Sequence, residues 1–114
     1  MRAVDMYPYV KANLRKRFPY EDGWIIRKLD KERADNPDFI VERRKKTHVD
    51  KVVVEVVAEC KITPEHLEEL ERHTKKFDVE GVRILTRIIV VCAGADTSIV
   101  PKDVDLMVLR SCEC

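Results

Sequence analysis

The valine-rich run at residues 49–60 constrains the fold more than any other part of the chain. Valine favours extended structure, and side chains along a strand point alternately to opposite faces. One face of this run is almost entirely apolar, whereas the other mixes valines with charged residues. That pattern is typical of a central strand in a sheet that is covered on both sides. The sequence therefore predicts an α/β domain built around this strand.

Two helices are predicted on either side of the run. Apolar residues at helical spacing indicate a first helix that begins near Met6 or Tyr7 and ends before Pro19. Thr63 is a typical N-cap for a second helix running to about residue 76, although His66 leaves its capping box incomplete. Further strands are predicted at residues 24–29, from residue 39 into a basic turn, at 84–92 and at 104–109. The expected order is helix, three strands, helix, strand, strand, with a mixed central sheet flanked by helices.

The composition is that of one intracellular domain. A chain of 114 residues has room for a single core, here spanning 1–114. Residues 1–61 carry 15 Lys and Arg against 11 Asp and Glu, whereas residues 62–114 carry 7 against 10, so the first half is the basic one. No apolar run approaches the ~20 residues that span a bilayer, and the N-terminus lacks signal-peptide order, so a cytoplasmic protein without membrane contact is expected.

Four cysteines, Cys60, Cys92, Cys112 and Cys114, lack the paired spacing of a zinc site. We expect them to be buried or free thiols, because cysteine is often buried. A thiol- or metal-sensing protein that uses Cys92, Cys112 and Cys114 is an alternative.

Acidic residues stand at the ends of two strands that are expected to pair. Asp38 follows Pro37 where the second strand begins, and Glu59 and Lys61 end the third. Strand alternation places Glu59 and Lys61 on one face, with Glu55 pointing the same way. If the two strands form a hairpin, Asp38 meets Glu59.

This pattern predicts a metal-dependent phosphodiesterase site. The carboxylates of Asp38 and Glu59, with the backbone carbonyl of Cys60, form the oxygen ligand set that suits Mg²⁺ or Mn²⁺. Such an ion activates water and neutralises charge on a phosphodiester. Lys61 is the expected catalytic lysine, which orients or deprotonates the water or stabilises the phosphate. The alternative is an exposed Glu59–Lys61 ion pair worth less than about 1 kcal/mol.

The spacing of Pro37-Asp38 and Glu59-Cys60-Lys61, followed by a helix and a strand, resembles the PD-(D/E)XK nuclease superfamily. That superfamily includes restriction endonucleases, archaeal Holliday-junction resolvases and RecB-type nucleases. The resemblance covers most of the chain and implies a restriction endonuclease-like core. It also implies a metal-dependent DNA endonuclease with Asp38 and Glu59 as metal ligands and Lys61 as the catalytic residue.

The accessory positions depart from the superfamily pattern. Resolvase-like members carry a glutamate on the first helix, where this chain offers only Asp5. RecB-like members carry Gln-x-x-x-Tyr on the second helix, where this chain resembles His73-x-x-x-Phe77. Asp5, Glu55 and His73 are therefore accessory candidates. Solvent exposure is the main expectation for His66 and His73, and His73 facing the nuclease site is the exception.

Basic residues cluster at the end of the first helix and at the hairpin turn. They suit sequence-independent contacts to DNA phosphates, although a solvated turn explains the second cluster equally well. The residues are Arg15, Lys16, Arg17, Arg43, Arg44, Lys45 and Lys46. The expected partners are DNA, including branched, flapped or RNA-containing forms, and a second copy in a homodimer. A catalytically inactive nuclease-fold module that binds nucleic acid or protein is the alternative function.

Overall fold

A computed structural model of the chain describes residues 1–114. The two helices are α1 and α2, and the five strands are β1 to β5. Their bounds are Ala3–Arg17 for α1, Ile25–Lys28 for β1, Phe39–Arg44 for β2, Val49–Val56 for β3, Pro64–Phe77 for α2, Val82–Ala93 for β4 and Asp105–Glu113 for β5. A short 3-10 turn at Tyr20–Asp22 follows α1. The order of elements predicted from the sequence is confirmed.

The five strands form one mixed sheet in the spatial order β1-β2-β3-β4-β5. The first three strands are antiparallel neighbours, whereas β3, β4 and β5 run parallel. Parallel neighbours need a crossover connection, and α2 provides it between β3 and β4. The α/β architecture with a mixed central sheet is therefore as predicted.

Each face of the sheet has its own apolar layer, and β3 contributes to both. Val52 and Val54 pack into the layer beneath α1, and Val53 packs into the layer that includes Leu70 of α2. All three valines are fully buried. The alternation along the central strand thus places one helix on each face.

Helix α1 begins earlier than the sequence suggested. It starts at Ala3, so Pro8 lies inside the helix rather than in its first turn. The backbone N–H of Arg2 donates to Asp5 Oδ2 at 2.9 Å, which satisfies a donor at the helix start. Asp5 therefore acts at the cap of α1, and its carboxylate pairs with Arg2.

Helix α2 begins as predicted, with a better cap than expected. Thr63 Oγ1 accepts a 3.4 Å hydrogen bond from the backbone N–H of His66. In return, His66 Nδ1 accepts a 2.9 Å hydrogen bond from the backbone N–H of Thr63. The prediction of an incomplete capping box was wrong, because an imidazole nitrogen can replace the usual glutamate oxygen.

Strand β3 ends sooner than predicted. It stops at Val56 rather than continuing to Cys60, and its register with β2 pairs Phe39 with Val54. Asp38 comes just before Phe39, and Glu55 comes just after Val54. Because the two strands are antiparallel, Asp38 therefore lies opposite Glu55. The hairpin register brings Asp38 toward Glu55 and leaves Glu59 beyond the end of the strand.

The cysteines form two disulfides, so the expectation of free thiols was wrong. Cys60 pairs with Cys114 and Cys92 pairs with Cys112, with Cα atoms 5.4 and 5.1 Å apart. Both bonds lie near the ends of β3, β4 and β5. The folded sheet brings these residues together over sequence separations of 54 and 20 residues.

Candidate functional site

Asp38 is the centre of a buried polar network at one end of the sheet. Its side chain is 0% exposed. Oδ1 accepts a 2.5 Å hydrogen bond from the hydroxyl of Tyr7 on α1, and Oδ2 accepts a 2.8 Å hydrogen bond from the backbone N–H of Val56. Burial is the largest cause of a raised Tyr7 pKa, and the Asp38 carboxylate adds to it. Tyr7 is therefore a neutral donor that holds Asp38 in place.

Lys31 brings a positive charge to this network from the connection between β1 and β2. Its Nζ lies 3.2 Å from Asp38 Oδ2 and 3.8 Å from Glu55 Oε2. Burial lowers the pKa of Lys31, but the nearby Asp38 and Glu55 carboxylates outweigh burial and leave the pKa raised. The lysine is thus a permanent cation that lies between two carboxylates.

Glu55 projects from β3 toward α2. Only 5% of the residue is exposed, and burial raises the pKa of its carboxyl to about 7 despite the lowering effect of His73. Oε1 contacts Nδ1 of His73, while Oε2 faces Lys31. The two oxygens of Glu55 therefore face two different environments.

His73 is held on both sides of its ring. It is 1% exposed, so the expectation of a solvent-exposed histidine was wrong. Its Nε2 lies 2.8 Å from Asp35 Oδ1, and Arg72 Nη2 donates to the same carboxylate at 3.0 Å. Hydrogen bonds from Arg72 and then His73 hold the pKa of Asp35 well below its usual range. A chain of polar contacts thus connects Glu55 to the surface.

A cleft opens above this network. Its volume is about 480 Å³, and Lys31, Glu55 and Glu69 form part of its wall. The other lining residues are Met1, Arg2, Ala3, Val56, Val57, Ala58, Glu59 and His66. The starts of α1 and α2 and the end of β3 therefore border an open cleft large enough for water and a phosphate group.

The Glu-x-Lys motif found in the sequence does not join the buried network. The side chain of Glu59 is 68% exposed, and its charged neighbour is His66 Nε2, 3.7 Å away at the mouth of the cleft. Lys61 is exposed and forms an isolated backbone bridge with Asp96. The predicted convergence of Asp38 and Glu59 was wrong, because β3 ends before Glu59.

The other predicted metal ligand also lies elsewhere. The carbonyl of Cys60 accepts a 2.8 Å hydrogen bond from the backbone N–H of Asp96. The side chain of Cys60 is joined to Cys114. The structure therefore uses Cys60 to attach the chain after β3 to the loop after β4.

Of the accessory candidates, Glu55 and His73 belong to the site and Asp5 does not. The polar contacts of Asp5 are with Arg2. On α1 it is Tyr7, rather than Asp5, that contacts the site, because its hydroxyl donates to Asp38.

The basic clusters lie away from the cleft. Arg15 and Lys16 are exposed at the far end of α1, roughly 20 Å along the helix from Ala3, and Arg17 pairs with Asp105 at 2.6 Å. Arg43 lies over the ring of Trp24, 4.2 Å from its centroid. Arg44, Lys45 and Lys46 are exposed at the hairpin turn, a strand length of roughly 20 Å from Asp38. The sequence had suggested that these clusters could surround the site, but neither cluster does so.

Sequence reasoning missed Lys31 and Tyr7, and it did not connect Glu69 with Glu55 on the neighbouring strand. Lys31 comes from a polar connection without periodicity, and Tyr7 has the spacing of a core residue. Glu69 precedes His73 by one helical turn, so the pair Glu69-x-x-x-His73 was the available signal.

No protein-family model, curated protein or solved structure shows a significant match to this chain. Neither helix has the length and apolar character required to cross a membrane.

Proposed function

We propose that this protein is a metal-dependent phosphodiester hydrolase that acts on DNA. The observation that carries the proposal is the position of Lys31, whose ammonium lies within 4 Å of carboxylate oxygens of both Asp38 and Glu55. Two carboxylates and a lysine beside an open cleft are the chemical groups that a metal-assisted phosphodiesterase needs. They are also the residue types of the PD-(D/E)XK site, with Glu55 in place of Glu59 and Lys31 in place of Lys61.

The connectivity supports a restriction endonuclease-like core. An antiparallel unit of three strands is followed by a helix and a strand parallel to the third. Asp38 stands at the start of β2 and Glu55 near the end of β3, the positions that the resemblance assigns to the acidic residues.

The carboxylates of Asp38 and Glu55 would admit a divalent cation such as Mg²⁺ or Mn²⁺ if Lys31, which now contacts both, moved aside. Asp38 and Glu55 offer the oxygen ligands that these ions prefer, and Glu55 borders the cleft. When bound, the ion would supply an activated water and a positive charge beside the phosphate.

Lys31 acts in this proposal as an electrostatic stabiliser rather than a base. Its raised pKa keeps the ammonium protonated, so it is a poor proton acceptor. A fixed positive charge beside the cleft stabilises negative charge that develops on a phosphodiester. Tyr7 positions Asp38 through its hydrogen bond and does not reach the cleft wall.

The basic clusters would contact DNA at a distance from the site. A separation of roughly 20 Å corresponds to about six base pairs along a duplex. These contacts would support affinity for the backbone rather than cleavage itself. A homodimer would present a second site to the other strand. We place the protein in the cytoplasm; disulfides there are typical of hyperthermophiles, which also favour charged residues.

The deciding experiment compares two sets of matched substitutions in cleavage assays on plasmid, single-stranded, flap and four-way-junction DNA with Mg²⁺ or Mn²⁺. Asp38→Asn, Glu55→Gln and Lys31→Met test the structural site, while Glu59→Gln and Lys61→Met test the sequence motif. Removal of a group that stabilises the transition state lowers rates by roughly 100-fold or more. We expect that loss in the first set and nearly unchanged rates in the second. An inert wild type, or rates that depend on Glu59 and Lys61 alone, contradicts the proposal.

A second candidate is a nuclease-fold module that binds DNA or a protein without cutting. It is favoured by the full set of protein donors around Asp38, whose two oxygens already accept from Tyr7, Val56 and Lys31. In this alternative the lysine replaces the cation permanently. Fluorescence anisotropy that shows DNA binding by a wild type without cleavage activity would favour this second candidate.

A further inference from the structure

Glu55 lies beside two side chains of α2. Glu69 and His73 are four residues apart and therefore share one face of the helix. Single ligand atoms of Glu55, Glu69 and His73 all lie within 4.8 Å of one another. Ligand atoms around an ion bonded at about 2.1 Å lie roughly 3 to 4.2 Å apart. Glu55 and His73 are in direct contact, so they would have to separate, and the partly exposed Glu69 to approach them, for one ion to bind all three.

The orientation of His73 is set from outside this cluster. Its Nε2 lies 2.8 Å from Asp35 Oδ1, and a carboxylate only accepts hydrogen bonds, so Nε2 carries the proton. The other nitrogen, Nδ1, contacts Glu55 Oε1 and presents a lone pair there in the tautomer that carries its proton on Nε2. Metal-binding histidines are commonly held in this way, with the second nitrogen donating to a carboxylate.

The contact between Nδ1 of His73 and Oε1 of Glu55 is buried. Glu55 is 5% exposed and His73 is 1% exposed. A lone pair and a carboxylate oxygen repel unless a proton or a cation lies between them. The nearest ammonium, Lys31, faces the other oxygen of Glu55 at 3.8 Å. The Nδ1 side thus lacks a fixed protein cation.

The adjoining cleft supplies access and space for further ligands. Glu55 and Glu69 both line its volume of about 480 Å³. An ion with three protein ligands would retain positions for water, as open metal sites do.

We propose that Glu55, Glu69 and His73 form a binding site for a divalent first-row transition metal, Mn²⁺ or Zn²⁺. One nitrogen and two carboxylate oxygens favour these ions over Mg²⁺ and Ca²⁺, which prefer oxygen ligands alone. The site shares Glu55 with the Asp38–Lys31 network. It does not rest on the proposed nuclease activity, because binding is measured without DNA.

The test is isothermal titration of metal-free, oxidised protein with Mn²⁺, Zn²⁺, Mg²⁺ and Ca²⁺. We expect one Mn²⁺ or Zn²⁺ per chain, bound at least roughly 100-fold more tightly than Mg²⁺. Glu69→Gln should weaken binding by roughly 100-fold, and Asp35→Asn by roughly 10 to 100-fold through loss of the histidine's orientation. Glu68→Gln is the matched control, since Glu68 is the exposed neighbour of Glu69 and lies outside the cluster.

Two further variants locate the ion. His73→Gln should abolish tight binding, and unfolding curves establish whether this buried position still folds. If His73→Gln does not fold, Glu69→Gln still tests the site, because Glu69 is only partly buried. His66→Gln should leave the affinity unchanged, because His66 belongs to the cap of α2 and the mouth of the cleft.

The inference is overturned if no transition metal binds, if Glu69→Gln binds as tightly as wild type, or if His66→Gln removes binding. Tight Mn²⁺ or Zn²⁺ binding by a protein that cleaves no DNA would support this site and remove the proposed nuclease function. Cleavage with Mg²⁺ by a protein that binds neither transition metal would support the nuclease function and contradict this metal site.

Discussion

The hydroxyl of Tyr7 donates a hydrogen bond to the buried carboxylate of Asp38 over 31 positions of sequence, which ties α1 to the end of the sheet. This contact connects the stability of the fold to the geometry of the candidate site, because Asp38 also contacts Lys31 and the backbone of Val56.

Tyr7→Phe should destabilise the protein by about 1 to 3 kcal/mol, because it leaves Asp38 Oδ1 buried without a donor. Urea unfolding followed by circular dichroism measures the change. Tyr9→Phe is the matched control on the same helix, since Tyr9 is 47% exposed, and its effect should remain within about 0.5 kcal/mol. Equal stability of the two variants would mean that the Tyr7 contact contributes nothing.

Stability of the metal-free protein should fall as the pH rises from about 4.5 to about 7. Burial raises the pKa of Glu55 to about 7 in the folded state, above its ordinary value of 4.5. Within this window the folded protein binds more protons than the unfolded chain, so raising the pH favours unfolding. The free energy of unfolding should fall by up to about 3 kcal/mol. Glu55→Gln should remove this part of the profile, and Glu68→Gln should retain it. Urea unfolding in EDTA across this range provides the measurement, and an identical profile for wild type and Glu55→Gln would contradict it.

Mild reduction should open Cys60–Cys114 before Cys92–Cys112. Cys60 and Cys114 are exposed, whereas Cys92 and Cys112 are buried between β4 and β5. Loss of the first bond should lower stability by about 4 kcal/mol, from the loop-closure entropy of a link across 54 residues. Alkylation and mass spectrometry at increasing reductant concentration identify the order. Alkylation of all four cysteines in unreduced native protein would show that neither bond forms.

Leu70→Ala should destabilise the protein by about 2 to 5 kcal/mol. Leu70 is a fully buried residue of α2, and truncation of its side chain leaves a cavity. Leu67→Ala, on the same helix but only partly buried, should have a smaller effect. Chemical denaturation measures both. A larger loss for Leu67 would show that α2 packs differently on the sheet. Since α2 carries Glu69 and His73, that outcome would also displace the proposed metal ligands.

Local sequence signals predicted most of the fold. The valine-rich run of β3 predicted a central strand, and both faces of that strand are in fact buried. Thr63 and Pro64 predicted the start of α2, and a helix between two strands is the usual connection for parallel neighbours. The parallel pairing of β5 with β4 lacked such a signal, since no helix separates the two strands.

The candidate site was only partly predictable. Asp38 was found because it follows Pro37 at the start of a strand. Glu55 was placed second to Glu59, because the apolar residues Val57 and Ala58 make the strand look longer than it is. Their apolar character reflects packing against the two core layers rather than continued strand pairing. Where a strand ends depends on its neighbours, so only the register showed that Glu55, rather than Glu59, lies opposite Asp38.

The sequence by itself determined the types and order of the elements, the central position of β3 and the presence of an acidic residue at the entrance to β2. These features follow from periodicity and capping, which act over a few residues. Only the tertiary structure decided that Lys31 and Tyr7 reach Asp38, that His73 lies buried between Glu55 and Asp35, and which cysteines pair. The physical reason is that these contacts join residues far apart in the chain. Their proximity depends on how the two helices and the connection carrying Lys31 pack around the end of the sheet.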